Sequence, residues 1–184
     1  MKKYKKNFYV LDCETTQLKK PEPICIAACL YENGKPGPEY KRFFMPEKDI
    51  KTEAEKIHGL TYDKLRGLHA RKFTKASCEF LHTFLTDCPD LPIVTHGVKF
   101  DRDKVLKPAF EKVGAAHFMP PDDRWRCTID MSERCEGLIE KSLDCCLDYW
   151  GFDQRDESKP HDATVDCHCV AKVYMKLIKE PPIK

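Results

Sequence analysis

A short run of apolar residues near the amino terminus leads directly into two acidic residues. Residues Phe8 to Leu11 read Phe-Tyr-Val-Leu, which is typical of a strand buried on both faces of a sheet. Asp12 and Glu14 follow, and residues two apart on a strand point to the same face. Both carboxylates would then lie together at the carboxyl end of a central strand, where their repulsion favours a divalent cation. If the strand ends at Leu11 instead, both acids are solvated loop residues.

Length and composition limit what kind of protein this chain can be. Its 184 residues suit one domain, and we predict a single domain over 1–184, with a flexible basic end at 1–6 and a flexible tail at 180–184. A membrane span needs ~18 apolar residues in a row, and the chain has no such run, so no membrane partner is expected. The first apolar run is also shorter than the ~7–15 residues of a signal peptide. A net charge of +2 neither favours nor excludes nucleic acid.

The 11 cysteines are scattered and include no Cys-x-x-Cys pair. An odd set without an export signal is typical of the reducing cytoplasm or nucleus, and it predicts free thiols. Cys167 and Cys169 are among the closest in sequence, but on a helix they point in different directions. A structural zinc or thiol-rich protein therefore remains one open interpretation, which rests on the number of cysteines alone.

The hydrophobic pattern predicts strands first, followed by strands that alternate with helices. Strands are expected at 8–11, 24–31, 40–45, 92–96 and 125–129. Helices are expected at 52–58, after Thr61, along a stripe of apolar residues (Phe73, Phe80, Leu81, Phe84 and Leu85), and at 100–113, 142–150 and about 162–178. This order predicts an α/β fold with a mixed sheet covered by helices.

The first predicted helix has recognisable end signals. Thr52 is expected to cap its amino terminus, with Glu55 completing a capping box. Gly59 is expected to end it.

Two more segments place carboxylates in positions of interest. Asp101 follows a short strand and the turn at Gly97, so it lies at the start of a helix. Asp166 lies about one turn into the last helix, on the face of Val170, and His161 lies just before that helix. Taken singly, these are also ordinary first-turn acids and a surface or capping histidine.

The acids are more informative as a set. They come from a strand end, a strand-to-helix turn and a helix start, and α/β folds build sites at the carboxyl ends of strands. Four acids without a convincing cysteine or histidine triad favour Mg²⁺ or Mn²⁺ over zinc.

Three segments resemble the motifs of the DnaQ-like (DEDDh) 3′–5′ exonucleases, in the order in which that family has them. They are Phe8-Tyr-Val-Leu-Asp12-Cys-Glu14-Thr-Thr16, His96-Gly-Val-Lys-Phe-Asp101 and His161-Asp-Ala-Thr-Val-Asp166. Two softer matches lie between them, at Ile57-His-Gly-Leu-Thr61 and at Cys127-Thr-Ile-Asp130 with Ser142-Leu143. The resemblance covers nearly the whole chain. It implies an RNase H-like fold, in which a five-stranded mixed sheet has three antiparallel amino-terminal strands plus two parallel ones, flanked by helices.

The resemblance also implies a role for each matching residue. Two Mg²⁺ or Mn²⁺ ions would be held by four acids (Asp12, Glu14, Asp101 and Asp166). His161 would be the general base, a task that suits a side chain titrating near neutral pH. The terminal nucleotide would lie against Thr15, Thr16 and His58.

The chain departs from the family pattern at three positions. Gln17 stands where many members have glycine, Gly97 where an asparagine is common, and Cys25 where the second strand often has an acid. None of these is a metal ligand or the base. Gln17 and Gly97 bear on contacts to the terminal nucleotide, and hence on substrate preference.

The leading interpretation is a metal-dependent 3′–5′ exonuclease that acts on single-stranded DNA or frayed 3′ ends and releases nucleoside 5′-monophosphates. A polymerase, or another replication or repair protein, is a candidate partner. The first alternative is an exonuclease of RNA or short oligonucleotides. The second is a non-catalytic nucleic-acid-binding or polymerase-accessory module on the same fold, because a fold alone does not determine function.

Overall fold

The apolar run that begins at Phe8 forms the central strand of the sheet. This computed structural model describes residues 6–153, 155–156 and 158–179, so the predicted flexible ends lie outside it except for residue 6. Strand β1 (Phe8–Thr15) continues through both acids. Asp12 pairs with Ala27 and Glu14 with Cys25 of the neighbouring strand. The alternative in which the strand ends at Leu11 is therefore wrong.

The sheet has five strands in the order β3-β2-β1-β4-β5. The four strands besides β1 are β2 (Pro23–Glu32), β3 (Lys35–Phe43), β4 (Ile93–Thr95) and β5 (Trp125–Cys127). Strands β1, β2 and β3 are antiparallel, whereas β4 runs parallel to β1 and β5 runs parallel to β4. This confirms the predicted RNase H-like fold.

Helices cover both faces of this sheet. The α-helices are α1 (Thr52–His58), α2 (Tyr62–Gly67), α3 (Lys75–Thr86), α4 (Lys107–Lys112), α5 (Thr128–Ser132), α6 (Leu143–Tyr149) and α7 (Ala163–Leu177). A π-helical segment (Lys99–Leu106) leads directly into α4, and short 3₁₀ turns lie at Ala116–Phe118 and Asp122–Arg124.

The alternation of side chains along β1 determines which helix each residue faces. Phe8 and Val10 belong to the apolar cluster under α7, whereas Tyr9 and Leu11 belong to the cluster under α3. Because side chains alternate along a strand, Asp12 and Glu14 continue the row of Phe8 and Val10. The two acids therefore point towards α7, beyond the end of its apolar cluster.

Three local expectations were wrong at the residue level. Helix α1 has Lys51 as its N-cap residue, without a side-chain cap, so Thr52 lies inside the first turn and forms no capping box. Strand β3 begins at Lys35 rather than at 40, because an edge strand tolerates the prolines at 36 and 38. The region predicted as one helix at 100–113 begins as the π-helical segment before α4.

The expected apolar stripe of α3 was also partly wrong. Leu81 and Leu85 are buried, and Cys78 completes their face. Phe80, by contrast, is 65% exposed, and Phe73 lies before the helix. Similarly, Val165 in α7 is about half exposed, whereas Val170 and Val173 are fully buried.

Adjacent residues of α3 allow a direct test of this arrangement. Leu81→Ala should lower the free energy of unfolding by about 2–5 kcal/mol, because it opens a cavity under the sheet. Phe80→Ala, the matched control, should change it by less than about 0.5 kcal/mol, because Phe80 is at the surface. Urea denaturation measures both values, and equal losses would contradict the described face of α3.

Candidate active site

Three carboxylates converge where β1 meets the start of α7. Asp12, Glu14 and Asp166 each offer an oxygen, and these oxygens lie within 4.8 Å of one another. The side chains of Glu14 and Asp166 are almost fully buried. The acids meet because β1 presents every second side chain to α7, and Asp166 lies on the buried face of that helix with Val170 and Val173.

The fourth acid, Asp101, reaches the same place from the other side of β1. It lies in the first turn of the π-helical segment, where its backbone N–H donates to the Gly97 carbonyl over 3.0 Å. This turn directly follows β4, the parallel neighbour of β1. Asp101 is buried, and after burial itself it is the main cause of the raised pKa of Asp12. The structure thus brings together all four acids that the sequence singles out.

Burial and mutual repulsion raise the free energy of ionising these carboxyl groups when no cation is bound. Burial raises the pKa of Glu14 to about 7, and the charge of Asp166 adds to the effect. Burial likewise raises the pKa of Asp101 to about 7. The pKa of Asp12 is well above its usual range and that of Asp166 is also raised, again chiefly because of burial.

The donor set fits a hard divalent cation. Oε1 of Glu14 is buried and has no hydrogen-bond partner among the described residues, although a buried unpaired oxygen is costly. Clustered carboxylate oxygens are the ligands that Mg²⁺ and Mn²⁺ prefer. A cation at this position would give the unpaired oxygen its partner and would offset the repulsion among the acids.

His161 lies at the edge of the acidic cluster. Its Nδ1 is 3.6 Å from Oδ2 of Asp166, and its side chain is 40% exposed. The backbone holds it there, because the N–H of His161 donates to the carbonyl of Ile57 over 2.9 Å. Gly59 has a φ of +63°, and a Cβ at that position would lie 2.9 Å from Pro160. Because glycine has no Cβ, the turn at Gly59 leaves room for Pro160 in the loop that carries His161.

Arg155 is part of the site, and the sequence analysis did not identify it. Its Nη1 donates to Oδ1 of Asp166 over 2.8 Å and contacts Nδ1 of His161 at 3.1 Å. Its Nε and Nη2 donate to the two carboxylate oxygens of Asp144, at 2.8 and 2.5 Å. Arg155 lies in a loop without periodicity or motif, so the only available signal was the need for a cation near four acids.

The three residues predicted to contact substrate are placed differently from one another. Thr15 donates to the Gln17 carbonyl, and the Thr16 hydroxyl accepts from the Glu22 N–H, so both hydroxyls stabilise the turn after β1. His58 lines the cleft, but both its ring nitrogens are engaged. Its Nδ1 accepts from a backbone N–H, and its Nε2 donates to the Thr15 carbonyl over 3.2 Å. Contact with a nucleotide remains a prediction for all three.

An open cleft of about 1090 Å³ leads to the acids. Glu14 and Asp166 lie along its wall with His161 and Arg155. Lysine side chains (Lys41, Lys56 and Lys159) and partly exposed apolar ones (Ile57, Leu68 and Val165) line the rest. Lys41 pairs with Asp162 at 2.6 Å and Lys159 with Asp156 at 3.0 Å, so Lys56 is the lysine of this cleft that has no ion pair among the described residues. The cleft therefore offers a cation for a phosphate and apolar surface for a base or sugar.

A second group of potential metal ligands among the described residues comprises Cys29, Glu39 and His168. His168 already contacts the Tyr31 hydroxyl at 2.7 Å through Nδ1 and Glu39 at 3.2 Å through Nε2. The group contains one cysteine, and all 11 cysteines are free thiols. A cysteine-rich zinc centre therefore has no support among the described residues.

Comparison with known families identifies the family of this chain. The model of the exonuclease family RNase T matches residues 9–174. The chain belongs to this family of DnaQ-like 3′–5′ exonucleases and is a nuclease of the hydrolase class. No curated protein matches the chain by sequence.

Several solved structures share the fold. Exonuclease X in complex with 5′ overhanging duplex DNA is 18% identical, with a TM-score of 0.70 over 94% of this chain and 91% of that one. A 3′-exonuclease that recognises the 3′ end of histone mRNA stem-loop is 15% identical, with a TM-score of 0.77 over 96% and 83%. Exonuclease I of E. coli with a dT13 oligonucleotide is 18% identical, with a TM-score of 0.76 over 95% of this chain but only 41% of that one.

None of the helices in the described ranges has both the length and the apolar character that crossing a bilayer requires.

The raised pKa of Glu14 predicts how stability without metal depends on pH. Its pKa is near 4.5 when unfolded and about 7 when folded. Between these values the folded protein binds more protons, so the free energy of unfolding falls as the pH rises, and the full cost is reached above pH 7. In EDTA at about pH 8, Glu14→Gln should therefore be more stable than the wild type by about 1–3 kcal/mol.

Urea denaturation at several pH values tests this, and the advantage of the variant should vanish near pH 4. A variant that is less stable than the wild type at about pH 8 would contradict the account, because it would mean that the charged carboxylate makes a stabilising contact.

Proposed function

We propose that the chain is a metal-dependent exonuclease that removes nucleotides from the 3′ end of DNA as nucleoside 5′-monophosphates. The observation that carries the proposal is the convergence of one partly buried and three buried carboxylates near His161. Two of these acids, Glu14 and Asp166, line the open cleft together with His161. A cluster of that charge serves no packing purpose, and its position at the carboxyl end of β1 suits a phosphodiester hydrolase.

Two Mg²⁺ or Mn²⁺ ions are the proposed cofactors, held by Asp12, Glu14, Asp101 and Asp166. When bound, such ions lower the pKa of water and stabilise the charge of the leaving oxygen. The four carboxylates place their negative charge where these ions would lie. Their four negative charges balance the four positive charges of two such ions.

His161 is the proposed general base. Its partial exposure lets it face both the acidic cluster and the cleft. The nearby carboxylate of Asp166 would stabilise the imidazolium that forms when His161 takes a proton from the attacking water. This requires a free lone pair on one ring nitrogen.

DNA is the proposed substrate, as single strands or frayed 3′ ends. Two of the similar structures were solved with DNA, one with overhanging duplex and one with dT13. RNA is the alternative, because another similar structure recognises an mRNA stem-loop. The lysines and apolar side chains of the cleft would serve either one, since phosphates and base faces are common to both. A polymerase or repair partner remains a prediction from the sequence.

A non-catalytic binding module is less well supported. Such a protein would need no buried acid with an unpaired oxygen, yet Oε1 of Glu14 is both buried and unpaired. The four acids and the histidine proposed for hydrolysis are all present, and Glu14, Asp166 and His161 line one cleft.

Degradation of end-labelled oligonucleotides tests the proposed activity. Single-stranded DNA and RNA of matched sequence, labelled at either end, should lose nucleotides from the 3′ end in Mn²⁺ but not in EDTA, and DNA should be lost faster. Asp12→Asn should lower the rate by at least about 10³-fold, because it removes a proposed ligand. Lys48→Gln, a surface control outside the cleft, should keep the wild-type rate.

Each contrary outcome has a distinct meaning. Folded protein that degrades neither substrate would favour the binding module. Faster degradation of RNA than of DNA would support the proposed hydrolysis but would make RNA the substrate. An Asp12→Asn variant of near wild-type rate would contradict the metal site.

His161→Asn separates the proposed base from the proposed ligands. It should lower kcat by about 10²–10⁴-fold, the usual contribution of a general base. It should leave Mn²⁺ affinity close to that of the wild type, because His161 is not a proposed ligand. Single-turnover kinetics and calorimetry measure the two quantities, and a loss of Mn²⁺ binding would mean that His161 belongs to the metal site instead.

A further inference from the structure

Arg155 is a permanently charged cation in direct contact with the acidic cluster. Its side chain is only 14% exposed, and its Nη1 forms an ion pair with Asp166 at 2.8 Å. Its charge lowers the pKa values of Asp12, Glu14 and Asp166, in opposition to the effect of burial. The positive charge of Arg155 thus stabilises the ionised form of these acids, as the charge of the proposed metal would.

Asp144 determines where Arg155 points. It accepts from Nε and from Nη2 of the guanidinium, one hydrogen bond to each carboxylate oxygen. This two-point pairing fixes the plane of the guanidinium. The remaining nitrogen, Nη1, is thereby directed at Asp166 and His161.

The contact with His161 has a chemical consequence for the proposed base. Arginine donates hydrogen bonds but cannot accept them. Nδ1 of His161, which lies 3.1 Å from Nη1, must therefore be the acceptor, and its lone pair is engaged. A neutral imidazole then carries its proton on Nε2, so neither nitrogen has a lone pair available.

The same guanidinium opposes the binding of a divalent cation at the acids. It engages Oδ1 of Asp166, a proposed ligand, and it brings a positive charge next to the cluster. In a site of low dielectric, two positive charges next to the same carboxylate repel each other strongly. Arg155 and a divalent cation therefore compete for Asp166.

We propose that Arg155 is a positioning residue that holds Asp166 and His161 in the metal-free enzyme and leaves both when metal binds. The contact between Nη1 of Arg155 and Nδ1 of His161 is then lost together with the ion pair to Asp166. This inference rests on the proposed function of the acids and of His161.

Calorimetric titration with Mn²⁺ alone tests the competition in the full-length protein. Arg155→Gln should bind Mn²⁺ more tightly than the wild type, by on the order of tenfold, because a competing charge is lost. Arg102→Gln is the matched control. Arg102 is buried to a similar extent, at 17% exposed, and pairs with Asp103 and Asp122 instead. Equal or weaker Mn²⁺ binding by Arg155→Gln would overturn the proposal. It would mean that Arg155 orients the proposed ligands and does not compete with the metal for them.

A second measurement compares the wild-type protein with and without metal. Nitrogen-15 NMR of labelled histidines reports which ring nitrogen carries the proton, and His161→Asn assigns the signal of His161. Above the pH at which the ring is neutral, the metal-free protein should carry the proton on Nε2. Addition of diamagnetic Mg²⁺ should move the Nδ1 signal towards that of a ring nitrogen without a hydrogen bond, because the contact with Arg155 is lost. An Nδ1 signal that does not move with Mg²⁺ would contradict the release of His161.

Failure of this inference differs from failure of the proposed function. If the wild type binds Mn²⁺ and Asp12→Asn does not, the metal site stands, and Arg155→Gln alone decides the role of Arg155. If the wild type binds no Mn²⁺, the metal site fails and the inference fails with it.

Discussion

The electrostatic repulsion among four clustered carboxylates, of which Glu14, Asp101 and Asp166 are buried, is the constraint on which the site depends. Asp12, Glu14, Asp101 and Asp166 face one another at the carboxyl end of β1, where burial raises the pKa of each. An arrangement of this kind persists only when the rest of the fold is stable enough to bear its cost. The two apolar clusters on either face of the sheet supply that stability. The clustered negative charge gives the site a strong preference for cations.

The geometry of β1 converts this constraint into a site. Its first residues are apolar on both faces, which fixes the strand in the middle of the sheet. The next residues keep the same alternation but replace the apolar row under α7 with Asp12 and Glu14. Helix α7 makes the same change, because its buried face passes from Val173 and Val170 to Asp166. The apolar core thus leads continuously into the acidic cluster.

The parts of the fold that follow a periodic pattern could be predicted from the sequence. The five strands, their mixed directions and the four acids all came from alternation, helical spacing and ordered motifs. Less periodic features could not be predicted to the residue. The edge strand β3 begins in a polar stretch that packs on one side only, and Phe80 is apolar yet lies at the surface, so local hydrophobicity was misleading in both cases. Arg155 and Asp144 were missed because their pairing spans a loop and a helix, and no local pattern encodes it.

The most direct test of the central claim is anomalous diffraction from crystals of the protein grown with Mn²⁺. The account predicts anomalous density among the carboxylates of Asp12, Glu14, Asp101 and Asp166. Ordered protein without such density at these acids would contradict the account, as would Mn²⁺ bound only at Cys29, Glu39 and His168.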